Sequence, residues 1–147
     1  MPPSAASEPP QPAGPSVPLD EVLRAAEFRR RLRRFIAHGD AHVRQAGLTP
    51  QRYLLLLAIK GAPDGSEART IGQLADDLQL AQSSVTELVD RATTVGLVVR
   101  VPGDDDARTV LVRLSGKGEE RLERALLAVR ADREQLLAHL DGARRHL

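Results

Sequence analysis

The stretch Thr70-Ile71-Gly72-Gln73-Leu74-Ala75-Asp76-Asp77-Leu78-Gln79-Leu80-Ala81-Gln82-Ser83-Ser84-Val85-Thr86-Glu87-Leu88-Val89-Asp90-Arg91 holds two helical patterns joined by a very short turn. Thr70 and Gln73 have the spacing of a capping box, in which each side chain satisfies the other residue's backbone N–H. The short helix they open buries Leu74, Ala75 and Leu78. After the turn at Gln79-Leu80, a second helix is expected from about Ala81 to Val95. Val85, Leu88, Val89, Ala92 and Val95 recur at spacings of three and four and form its inward face. Gly96 closes it, since glycine adopts the left-handed cap conformation without penalty. The outward face carries Gln82, Ser83, Thr86, Glu87, Asp90 and Arg91, with Ser84 in the first turn.

Downstream, Leu97 to Val101 reads as a strand and Pro102-Gly103-Asp104-Asp105-Asp106 as a turn region. The return strand alternates, with Val110, Val112 and Leu114 on one side and Thr109, Leu111 and Arg113 on the other. Ser115 starts a long last helix. Its apolar residues Leu122, Leu126, Val129, Leu136 and Leu140 keep near-heptad spacing, broken once at Arg133.

Upstream, Thr49-Pro50 opens a helix whose run Tyr53-Leu54-Leu55-Leu56-Leu57-Ala58-Ile59 is apolar nearly all round, so it is expected to be central. Gly61 ends it, and Pro63-Asp64-Gly65-Ser66 marks a loop. From Leu19 to about Gly47, Ala25, Phe28, Leu32, Phe35 and Ile36 make an apolar stripe, flanked by Arg24, Arg29, Arg30, Arg31, Arg33 and Arg34. That arginine run is either a solvated helix face or a set of phosphate contacts. Residues 1–18 hold seven of the ten prolines and are expected to be a disordered arm. Residues 19–147 form one domain. Within it, 19–47 and 116–147 are long terminal helices and 49–115 is a helical lobe with a hairpin.

Composition narrows the function. The chain has 147 residues, no cysteine, and 21 basic against 20 acidic residues. Disulfides and Cys-ligated zinc are excluded, and no cofactor is expected. Phe28, Phe35 and Tyr53 are the only aromatic residues, which disfavours recognition of single strands by base stacking. No run approaches the roughly 20 apolar residues of a membrane span. The Met1-Pro2-Pro3 start lacks the basic region and apolar run of a signal peptide, so a cytoplasmic location is expected. No phosphate loop, nucleophile elbow or catalytic pairing is present, so an enzyme is not expected. His38 and His42 have metal-ligand spacing on a helix, but Gly39 lies between them and no cysteine can complete a soft site. No metal is expected.

A short helix, a turn, a second helix and a hairpin together make a winged helix-turn-helix. In that arrangement the second helix enters a major groove of double-stranded DNA. Small polar groups at Gln82, Ser83, Ser84 and Thr86, with Arg91, suit base edges or phosphates because they permit close approach. The order and spacing of several segments then resemble the MarR family of transcriptional regulators. These are Leu48-Thr49-Pro50-Gln51-Arg52-Tyr53; Thr70-Ile71-Gly72-Gln73-Leu74-Ala75; Leu88-Val89-Asp90-Arg91; Gly96-Leu97-Val98; Asp104-Asp105-Asp106-Ala107-Arg108; and Leu114-Ser115-Gly116-Lys117-Gly118.

The resemblance spans about Leu19 to Leu140. It implies a mainly α fold with a small β-hairpin wing, and a homodimer built from the first and last helices. Recognition helices would enter successive major grooves of a near-palindromic site, and Arg108 on the wing would reach toward the minor groove. It also implies a repressor released by a small phenolic or aromatic-acid ligand bound between dimer region and DNA-binding lobe. Phe35, His42 and Tyr53 are the side chains with suitable ring chemistry at that junction. Three features depart from the family pattern: Ala81 stands at a capping position, Ala92-Thr93-Thr94 follows Asp-Arg, and 81–115 carries four basic against five acidic residues. The alternative reading is a winged-helix protein-interaction module that does not touch DNA.

Overall fold

The computed structural model describes Gly14 and residues 16–144. Most of the expected proline-rich arm and the last three residues lie outside the described residues. The elements run α1 (Leu19–Gln45), α2 (Pro50–Lys60), α3 (Ile71–Leu78), α4 (Gln82–Thr94), β1 (Val98–Pro102), β2 (Val110–Leu114) and α5 (Gly116–Arg144). This is a mainly helical winged helix-turn-helix with one antiparallel hairpin. Among the described residues, no helix is long and apolar enough to cross a membrane.

The central helix is α2, as its all-round apolar pattern implies. Thr49 caps it by accepting from the Arg52 N–H, and Leu55, Leu56 and Ile59 are fully buried. Around it pack Leu74 of α3, Val85, Val89 and Ala92 of α4, Val98 and Val112 of the hairpin, and Leu122, Ala125 and Val129 of α5. Burying such aliphatic side chains stabilises the lobe by about 1.5–3 kcal/mol each before entropy is counted. The expected inward face of α4 is buried except for Val95, which is half-buried near the helix end.

Local chemistry fixes the turns. Thr70 and Gln73 form the capping box in full, so the N-terminus of α3 is set by its own side chains. Gln79 then takes a left-handed conformation (φ 54°) and turns the chain within two residues. Gly96 has φ 77°, and the Leu97 N–H reaches back to the Ala92 carbonyl, ending α4.

In the hairpin Val98 pairs with Leu114 and Pro102 with Val110, one residue later than the sequence suggested for the first strand. Pro102 is tolerated because it ends an edge strand. Arg69 adds an isolated bridge to Val112, with backbone hydrogen bonds of 3.1 and 2.8 Å. A one-residue strand leaves no periodicity to read, so the loop pattern of 62–69 concealed it.

The long helices α1 and α5 lie against each other to form an arm. Leu32 and Phe35 of the α1 stripe are half-buried there, while Ala25, Phe28 and Ile36 remain exposed.

Candidate nucleic-acid interface

The second helix of the motif presents the side chains its pattern assigned to solvent. Gln82, Ser83, Ser84, Thr86, Glu87, Asp90 and Arg91 are all exposed, while Val85, Leu88 and Val89 hold the helix to the lobe. Ala81 is the N-cap and makes no side-chain cap bond. The first N–H groups of α4 are therefore available to an anion, as at any open helix N-terminus. The Thr86 hydroxyl donates to the Gln82 carbonyl at 2.9 Å, which leaves its methyl and remaining lone pairs facing outward.

Charge on this face is organised into pairs. Asp90 engages Arg100 of β1, tying the recognition helix to the root of the wing. Glu87 and Arg91 approach to 3.5 Å one turn apart along α4. Four of the nine charged residues over 81–115 are thus paired, and the rest lie on the wing. These exposed pairs contribute little stability, about 0–1 kcal/mol each, but they set which charges remain free.

At the wing tip Asp106 Oδ1 accepts from the Arg108 backbone N–H at 2.9 Å. The carboxylate therefore shapes the turn, and Arg108 stays exposed. No ion pair holds its guanidinium among the described residues.

The lobe and the arm are joined at the foot of α5. Ser115 Oγ donates to the Gly96 carbonyl and accepts from the Gly118 N–H at 3.0 Å. Lys117 Nζ donates to the Val95 carbonyl at 2.8 Å, placing a cation at the C-terminus of α4. The recognition helix is thus fastened to the arm at its last turn.

The three ring-bearing residues expected to line one pocket are placed differently. Phe35 lines a cavity of about 220 Å³ between α1 and α5, with Arg34, His38, Asp132 and His139 on its walls. His42 does not line it, but its Nε2 lies 3.4 Å from Asp132 Oδ2, a buried oxygen with no hydrogen-bond partner among the described residues. Tyr53 packs against the main core instead, and burial holds its phenol above the ordinary value of 10.0, with Arg133 acting in the opposite direction. Asp132 is not among the residues that the sequence motifs single out. Its signal was its place between Val129 and Leu136 on the packed seam of α5. His38 and His42 join no group of three metal-capable side chains among the described residues.

Comparison with known proteins agrees with this architecture. Residues 46–109 match the model of the MarR family. The chain is 30% identical over 115 residues to the uncharacterized HTH-type transcriptional regulator YsmB of Bacillus subtilis, covering 76% of this chain and 74% of that protein. Among solved structures, it is similar to the transcriptional regulator Tm0710 of Thermotoga maritima. That match has 27% identity and a TM-score of 0.55, over 84% of this chain and 80% of the other. The fold is also that of a mutant MarR from E. coli complexed with operator DNA. Identity there is 20% and the TM-score 0.63, over 89% of this chain and 98% of the other.

Proposed function

The chain belongs to the MarR family of transcriptional regulators, and from that premise we propose that it is a homodimeric repressor that binds double-stranded DNA, sequence-specific for a near-palindromic operator. One observation carries this reading. Exposed, small and polar side chains line the first turns of α4, and the wing carries an exposed Arg108 guanidinium that forms no ion pair among the described residues. Gln82, Ser83, Ser84 and Thr86 read base edges in the major groove, Arg91 contacts the backbone, and Arg108 enters the adjacent minor groove.

Dimerisation follows from what the arm leaves uncovered. Leu23 is 58% exposed, Phe28 47% and Leu127 54%, all on the long helices. Large apolar side chains gathered on one arm call for a partner, and a two-fold axis supplies the same surface twice. Such an axis gives two recognition helices and so a palindromic site.

Release of the repressor belongs to the cavity on the arm. Phe35 and the cationic side chains around it suit a small aromatic acid, and His42 adjoins the cavity through Asp132, whereas Tyr53 belongs to the main core. Calorimetric titration with a hydroxybenzoate tests this, with Phe35→Ala expected to abolish binding. Unchanged binding in Phe35→Ala and loss in Tyr53→Ala would move the ligand to the lobe junction.

The DNA reading is tested by selection from a random pool of duplexes with the purified protein. Enrichment of one sequence with two half-sites about one helical turn apart is the expected result. A retained pool no different from the input would refute it.

A further inference from the structure

Glu87 sets apart the reading face of α4. It lies one turn beyond Ser83, on the same exposed side, and its side chain is 75% exposed. Asp90, the other carboxylate on this face, is already committed to Arg100 of the wing. Among the described residues the Glu87 carboxylate pairs only with Arg91 of its own helix, at 3.5 Å, a contact that water and DNA can replace. The loosely held negative group on the face is thus a single carboxylate near the middle of the second helix.

A carboxylate only accepts hydrogen bonds. In the major groove guanine offers O6 and N7, adenine N7 beside its N6 amine, and thymine O4 and a methyl group. Each of these bases sets at least one acceptor or an apolar group before the carboxylate. Cytosine alone offers an amine donor, at N4, with no acceptor of its own on that edge. The negative charge also penalises every other choice, so discrimination comes as much from repulsion as from attraction. We propose that Glu87 is a specificity-determining residue that selects cytosine at one position in each half-site. This rests on the DNA-reading function above.

The same reasoning fixes what substitution does. Glu87→Gln adds a donor to an acceptor, the combination that matches adenine N6 and N7. Glu87→Ala leaves neither. Because the side chain is exposed, both variants should melt with the wild type, which a thermal scan checks before binding is measured.

The test is parallel selection of wild type, Glu87→Gln and Glu87→Ala from one random duplex pool, followed by titration of single-base variants. Wild type is expected to enrich cytosine at one symmetric pair of positions, with replacement there weakening binding about tenfold. Glu87→Gln is expected to move that preference to adenine, and Glu87→Ala to level it, with the other positions kept. Identical base preferences in all three proteins would overturn the assignment of Glu87 while leaving DNA reading intact. Failure of wild type to enrich any sequence would overturn both.

Discussion

Gly118, three residues past the Ser115 cap, packs so closely under Leu97 that a Cβ there would collide with the Leu97 carbonyl oxygen. This contact joins the arm to the chain leaving the recognition helix, and only glycine permits it. Gly118→Ala should destabilise the protein by about 1–3 kcal/mol, as overpacking does. Gly39 offers the contrast. It also lies inside a long helix, but a Cβ there would meet Val129 at 4.0 Å, an ordinary contact. Gly39→Ala should stabilise by about 0.5–1 kcal/mol through helix propensity alone. Urea denaturation of both variants checks the pair, and shifts of the same sign would contradict this packing.

The two helices of the motif start differently, and that difference can be measured. Thr70 caps α3 through the Gln73 N–H at 3.2 Å, whereas Ala81 gives α4 no side-chain cap. Thr70→Ala should cost about 1 kcal/mol, and Ala81→Ser should gain a similar amount. Thermal unfolding followed by circular dichroism reads both. A destabilised Ala81→Ser would mean that the start of α4 is held by something other than its cap.

Where one helix or one turn decides the outcome, the sequence was legible. The capping box at Thr70, the buried run of α2 and the Gly96 stop appear in the structure where periodicity and turn chemistry place them. Pairings between distant elements were not legible. Periodicity tells which face of α1 is apolar but not how α5 crosses it, so it could not say that Phe35 faces Asp132 and Tyr53 the main core. Likewise spacing alone does not tell that Asp106 accepts from the Arg108 backbone N–H while the guanidinium stays exposed. The neutralisation of Asp90 by Arg100 is another contact of tertiary origin, ten residues apart and across two elements.

Two charges placed on the exposed arm should break the proposed dimer. Phe28 and Leu127 are exposed on the arm, so replacing either by aspartate leaves the protomer's core untouched. At micromolar concentration light scattering should give a dimer for wild type and a monomer for Phe28→Asp combined with Leu127→Asp. An unchanged mass would place the dimer contact elsewhere.

Arg108 and the major-groove residues should fail in different ways. Arg108→Ala should weaken binding to all duplexes alike and lower the salt slope by about one, as expected for one lost phosphate-like contact. Its melting temperature should stay at the wild-type value, because the contact that shapes the turn uses the backbone N–H, which alanine keeps. Ser83→Ala or Thr86→Ala should instead narrow the gap between cognate and non-cognate duplexes, by about 1–3 kcal/mol. An Arg108→Ala protein with normal affinity and a lowered melting point would make this residue a brace of the turn.

The most direct test compares two duplexes of equal length, the selected operator and a scrambled sequence, by fluorescence anisotropy across a range of salt concentrations. A recognition helix reading bases and a wing following the backbone predict two results together. Affinity for both duplexes falls linearly on a log–log plot with salt, and the operator stays tighter by a factor of about 10³ or more. Equal affinity for the two duplexes at every salt concentration would contradict the account.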